Sequence, residues 1–151
     1  DLQITLSVSL HAPDDETRSR IMPANRGRGV DELFRKCKAY YDKTGRRISF
    51  EYAMIDGVND SDACANELAD RLSGMLCHVN LIPINAVPGK AQHRSPRARI
   101  AAFMAVLERR GINATVRRTL GADIDASCGQ LRRKADRNAD REARKGEFSC
   151  K

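Results

Sequence analysis

The 151-residue chain, 41% apolar and 31% charged, is long enough to bury one core and too polar to form a bundle of membrane spans. Its net charge of +7 is lopsided: residues 1–88 balance to −2, whereas residues 89–118 hold eight basic residues against Glu108 alone, which points to a polyanionic partner such as RNA. Aromatic residues make up only 5%, too few for a base-stacking sheet. Five irregularly spaced cysteines, with no CxxC or Cys/His zinc pattern, exclude a fully paired disulfide framework and point to a reducing cytoplasm.

The first residues alternate cleanly. Leu2, Ile4, Leu6, Val8 and Leu10 fall on one face of a predicted strand, and Ser7, Ser9 and His11 on the other. No signal peptide is legible there, and a start on Asp1, straight into a strand pattern, reads as a fragment or a trimmed chain. Residues 31–42 form an amphipathic helix through Leu33, Phe34, Cys37, Tyr40 and Tyr41, broken by Gly45. A second strand spans 48–55, with Glu51 on its polar side, where a structural salt bridge is the expected partner. A turn at 56–60 leads to Ser61, the expected cap of a helix carrying Cys64, Leu68, Leu72 and Met75.

The run 78–84 is a third, buried strand that Pro83 should end. After a loop from Asn85 to Arg94, Ser95-Pro96 predicts a cap followed by proline at the first helical position. Ile100, Phe103, Met104 and Leu107 stripe that helix, and Gly111 closes it. Residues 112–116 are a fourth strand. The alternation is that of an α/β fold with parallel strands, in which ligands bind beyond the carboxyl ends of the strands. That criterion selects Ser9, Leu10 and His11, the segment at Asp56, Asn85, and whatever follows Val116. Cys37, Cys64 and Cys77 sit inside helix or strand patterns and read as packing residues.

One segment stands apart. Gly121 to Leu131 carries Cys128 with a glycine directly after it, downstream of Arg117 and Arg118. A thiol on a glycine-flanked loop near cationic residues is how a reactive cysteine is built, because positive charge lowers its pKa. From Arg132 onward the chain is polar and charged with no apolar stripe, so residues 1–131 read as the folded unit and 132–151 as a basic, frayed tail in which Cys150 is incidental.

Four segments in order carry a resemblance. Ser7-Val8-Ser9-Leu10-His11-Ala12-Pro13, the run Phe50 to Asp60, Asn80-Leu81-Ile82-Pro83-Ile84-Asn85 and the run Asp123 to Leu131 resemble the C-terminal half of the RlmN/Cfr family of radical-SAM RNA methyltransferases. The resemblance implies the C-terminal half of a partial β/α barrel. It also implies methylation of an adenine, at carbon 2 in the family's common branch, in 23S ribosomal RNA and tRNA. It makes Ser9, Leu10, His11 and Asn85 contacts for S-adenosyl-L-methionine (SAM), and Cys128 the thiol that SAM methylates, to be released later through a disulfide. It further implies a 4Fe–4S cluster, an electron donor such as flavodoxin, and a monomeric, cytoplasmic parent without membrane contact. The cluster motif CxxxCxxC, the resolving cysteine and the proton-accepting carboxylate of the family have no counterpart in this sequence, so the chain alone is expected to be inactive. The first strand of such a half-barrel lacks one neighbour, which leaves an open edge. A reading from a different class, a stand-alone basic α/β RNA-binding module built on residues 89–118, predicts a steep salt dependence of RNA binding without SAM affinity.

Overall fold

The computed structural model describes residues 4–85 and 92–117, apart from the side chain of Arg26; Cys128 with its loop, the 132–151 tail and Cys150 lie outside the described residues. Four strands, β1 (Leu6–Ser9), β2 (Ile48–Met54), β3 (Cys77–Pro83) and β4 (Asn113–Val116), form one parallel sheet in sequence order. Helix α1 (Asp15–Ile21) and α2 (Val30–Thr44) connect β1 to β2, α3 (Asp62–Leu72) connects β2 to β3, and α4 (Arg97–Arg109) connects β3 to β4. The fold is α/β, as expected. Parallel connections in one sheet share a hand, so helices joining consecutive neighbours stack on the same face. Residues from α2, α3 and α4 accordingly share one core with the sheet.

The two-residue period decides what each face carries. Ile48, Phe50, Tyr52 and Met54 of β2 are buried with Cys77, Val79 and Leu81 of β3, and the residues between them are only partly covered. Phe34 of α2 stacks on Phe50 with ring centroids 5.9 Å apart, and Tyr52 meets Phe103 of α4 at 5.2 Å. The opposite face is polar, and the register sets its rows: Ser7, Ser49, His78 and Asn113 in one, Ser9, Glu51, Asn80 and Thr115 in the next.

Several boundaries move for identifiable reasons. The strand expected from Leu2 begins at Leu6, because Leu6 pairs with Ile48 and β2 extends no further back; Ile4 is 63% exposed. No element is predicted between Leu10 and Arg28, yet α1 and a 3-10 helix, Pro23–Gly27, lie there. Helix α1 has fewer than two turns and no apolar stripe to announce it; its signal is the cap, Asp14, whose side chain accepts the Thr17 amide at 2.7 Å. Asp15 then caps α2 from a distance, accepting the Val30 amide at 2.7 Å. The approach is so close that a Cβ on Gly29 would lie 2.9 Å from the Asp15 carboxylate.

Ser61 caps α3 as expected, accepting the Cys64 amide at 3.1 Å. Ser95 does not cap α4. Pro96 takes that position and its carbonyl receives the first helical amides, which leaves the Ser95 hydroxyl buried without a partner among the described residues. At the other end Gly111 adopts φ 75°, and the amides of Gly111 and Ile112 close back on Glu108 and Leu107, the double bond of a Schellman motif. Cys37 and Cys77 are buried as packing residues; burial pushes both thiols up, Cys77 to about 11. Among the described residues no helix is long and apolar enough to cross a membrane.

Candidate functional site

The carboxyl end of β1 is tied down by backbone and side-chain hydrogen bonds from three directions. The amides of Leu10 and His11 both donate to the Glu51 carbonyl, at 3.0 and 3.3 Å. The carbonyls of Ser9 and Leu10 accept from the guanidinium of Arg18, at 3.0 and 2.9 Å. The His11 carbonyl accepts from Asn59 at 2.6 Å. Leu10 itself is completely buried, so it anchors the segment, while the Ser9 side chain stands on the exposed polar face.

His11 takes φ 63°, a left-handed conformation that a histidine adopts only where its surroundings hold it. Its Nδ1 accepts the Ala53 amide at 3.0 Å. That bond selects the neutral tautomer protonated on Nε2. Burial first, and the Arg18 charge second, hold the imidazole below its usual range, against an opposing pull from Glu51. What His11 offers a ligand is therefore an Nε2–H donor with no partner in the described residues.

Asn59, completely buried, is the second fastening. Its Oδ1 accepts the Ile55 amide at 2.8 Å, and its Nδ2 donates to the carbonyls of His11 and Ala53, each at 2.6 Å. The Tyr52 hydroxyl donates to the Asn59 carbonyl at 2.7 Å, and burial raises the Tyr52 pKa so that it remains a donor. One amide thus locks the turn after β2 to the turn after β1. In the sequence Asn59 is a turn residue with no sign of this role, since its partners lie 48 and six residues away.

Glu51 faces the polar side, as predicted, but without the expected salt bridge: among the described residues it accepts instead from the Asn80 amide at 2.9 Å. Cross-strand register explains the pairing, because Glu51 and Asn80 lie directly opposite in the ladder. Along the same face His78 Nε2 meets the Thr115 hydroxyl at 2.9 Å.

Asn85 lies exposed just past β3, at the same end of the sheet as Ser9 to His11. Two strand spacings, about 10 Å, separate β1 from β3 across the sheet, β3 runs on to Pro83 past the level of Ser9 and Asn80, and no hydrogen bond joins Asn85 to the β1 segment. Cys128 lies outside the described residues. Among the described residues no three His, Cys, Asp or Glu side chains are grouped as metal ligands, so these residues do not fit an iron–sulfur cluster.

Two arginines of the basic segment have structural partners. Arg99 pairs with Asp62 and Arg110 with Asp70, both across the α3–α4 contact. Arg94, Arg97, Arg109 and Arg117 are exposed. Arg94 pairs with Ile55 in an isolated bridge just past β2, which puts it at the carboxyl end of the sheet.

No protein-family model matches the chain. Curated relatives do. The chain is 54% identical over 134 residues to the probable dual-specificity RNA methyltransferase RlmN of Caldanaerobacter subterraneus subsp. tengcongensis, covering 89% of this chain and 39% of that protein. It is 55% identical over 133 residues to the protein of the same name from Bacillus subtilis, with 88% and 37% covered. A crystal structure of a radical SAM methyltransferase from Sphaerobacter thermophilus superposes with a TM-score of 0.81 at 53% identity, over 85% of this chain and 38% of that one. A domain of a pyruvate-formate lyase-activating enzyme from Bacteroides vulgatus shares the fold alone, at a TM-score of 0.62 and 14% identity. The chain spans less than two fifths of the length of the RlmN proteins it matches, and over nearly nine tenths of its own length it is similar to them.

Proposed function

We propose that this chain is part of a radical SAM enzyme that methylates carbon 2 of an adenine in 23S ribosomal RNA and tRNA. The observation that carries the reading is the Ser9–His11 segment, immobilised at the carboxyl end of a parallel strand with one imidazole N–H left to donate. Ser9, His11 and Asn85 hold SAM through their side chains, and Leu10 anchors the segment beneath it. The donor set suits the cofactor, whose ribose and carboxylate oxygens accept hydrogen bonds. Bound SAM supplies the methyl group.

The neutral state of His11 matters to that task. A cationic imidazole beside a sulfonium would repel it, and the Arg18 charge together with burial keeps His11 uncharged. Cys128 accepts the methyl group: its thiol first gives its proton to solvent, and the thiolate then forms the new S–C bond as the sulfonium's S–C bond breaks. Ligands for the 4Fe–4S cluster lie elsewhere in the complete enzyme, and no role assigned to the present residues passes through it. The complete enzyme is soluble, cytoplasmic and monomeric, and takes electrons from a flavodoxin-like donor.

RNA approaches the same end of the sheet, where Arg94 and Arg97 are exposed and contact its phosphates. The pairing of Arg99 and Arg110 with acids of α3 weakens the alternative of a stand-alone module resting on the whole 89–118 segment. In the complete enzyme Cys128→Ala should abolish adenine methylation; normal methylation by that variant sinks the assignment. This chain by itself, supplied with iron and sulfide, should show neither cluster absorbance nor turnover.

A further inference from the structure

The guanidinium of Arg18 is buried against the backbone of the Ser9–Leu10 segment. It is 7% exposed and directs its three nitrogens to three acceptors: Nε to the Leu10 carbonyl, Nη2 to the Ser9 carbonyl and Nη1 to Asn25 Oδ1. Asn25 is buried too, and its Nδ2 donates to Asp15 Oδ1 at 2.8 Å and to the Ser19 hydroxyl at 2.9 Å. No carboxylate touches Arg18 among the described residues; Asp15 acts on it only across Asn25.

A buried cation without a contacting anion is expensive, and it adds nothing to the apolar core. A cheaper way to build α1 is an apolar residue at this position. What the guanidinium does achieve is local. Strand β1 has a single neighbour among the described strands, so the Ser9 and Leu10 carbonyls have no second ladder to enter as the chain turns away. Arg18 takes both at once, which the planar fork of arginine allows and the point charge of lysine does not. The next residue is His11 at φ 63°, whose orientation depends on where those two carbonyls are fixed.

We propose that Arg18 is a positioning residue for the cofactor: it never touches SAM, but it holds the Ser9–Leu10 backbone so that the Ser9 hydroxyl and the His11 Nε2–H meet the ligand, with Asn25 and Asp15 holding Arg18 in turn. This rests on the reading that Ser9 and His11 contact SAM. Arg18 and Glu51 are the charged groups that act on His11, from α1 and from β2, and they act in opposite directions. Removing the Arg18 charge therefore also lets His11 protonate at higher pH.

The test is SAM binding to the complete enzyme by equilibrium dialysis, together with steady-state kinetics. Arg18→Gln should weaken SAM binding about tenfold or more, as expected for losing hydrogen bonds from a charged donor. KM for SAM should rise while kcat at saturating SAM stays within about threefold. Added ethylguanidinium should restore affinity to Arg18→Ala, a rescue that a general loss of stability does not give. Arg71→Gln removes two ion pairs on the helix side, to Asp31 and Glu67, and should leave SAM affinity unchanged. If Arg18→Gln does not fold, Arg18→Lys serves: it keeps the charge, satisfies one carbonyl and should bind SAM more weakly than the parent. Parental affinity in a folded Arg18→Gln or Arg18→Lys variant overturns the proposal when Ser9→Ala and His11→Asn do weaken binding. If those two variants also bind SAM normally, the cofactor reading itself fails instead.

Discussion

The two faces of the sheet solve opposite problems with the same strands. The helix side is filled: Phe50, Tyr52, Val79 and Leu81 are fully buried, and the aromatic pairs to Phe34 and Phe103 span sheet and helix. The polar side is paired and only partly covered, with Glu51 bonded to Asn80 and His78 to Thr115. Stability is concentrated on the first face and ligand-facing chemistry on the second. The fastenings between them, Arg18 and Asn59, lie at the carboxyl ends where the strands leave the sheet. If that division is right, substitutions should rank by face and not by the size of the side chain removed.

The largest effect belongs to the packed face. Phe50→Ala removes a fully buried ring between β2 and α2 and should cost about 3–5 kcal/mol. Urea unfolding of the purified protein measures this, and a loss below about 1 kcal/mol would contradict the core described above. Asn59→Ala comes next. It deletes few atoms but leaves the Ile55 amide and the carbonyls of His11 and Ala53 without partners. A buried polar group left unpaired costs about 1–3 kcal/mol, so the whole change should approach that of a large core residue. Asn59→Asp keeps the acceptor for Ile55 but turns a buried carboxylate oxygen toward the two carbonyls, and should cost at least as much as Asn59→Ala.

The third effect is a pH dependence carried by His11. Its folded pKa is depressed, so the unfolded chain binds a proton that the folded chain resists. Stability from this group is fully present above the ordinary histidine value of about 6.5 and declines as pH falls from there through the lower folded value. Melting temperature measured from neutral pH downward should show this slope in the parent. His11→Asn should flatten it, because asparagine tolerates the left-handed backbone and offers an acceptor but does not titrate. An unchanged slope in that variant would assign the titration elsewhere.

Much of this division was legible in the chain itself, because period and punctuation are local. Alternation marks β1 and β2 and assigns Glu51 to the polar side, and Ser61 and Gly111 announce the ends of α3 and α4; the run expected as a wholly buried β3 turns out to alternate as well. What escaped notice depends on partners far apart. Arg18 gives no signal in a short helix without an apolar stripe, and its acceptors are eight and nine residues away. Asn59 looks like any turn asparagine until β1 is placed beside β2. Ser95-Pro96 was misleading because proline can itself supply the first helical carbonyl, which moves the cap one residue along. The four motifs that resemble the family include Ser9 to His11 and Asn59, but they do not say that one holds the other.

The smallest predicted change tests the polar face by itself. Glu51→Gln keeps an oxygen to accept from Asn80 and removes only the charge, so the loss of stability should stay below about 1 kcal/mol. Its effect on His11 should still be visible. Glu51 pulls the imidazole pKa upward against burial and Arg18, and without that carboxylate the His11 midpoint should move further down. A histidine proton titration followed by NMR resolves this, with His11→Asn identifying the resonance. A variant that unfolds, or whose His11 midpoint moves up, would show that Glu51 supports the structure and that the two faces are less separate than the packing implies. A stable variant with a lowered midpoint assigns Glu51 to the electrostatics of the ligand side, where its charge offsets part of the pull of burial and Arg18 on His11 while the helix side stays as it was.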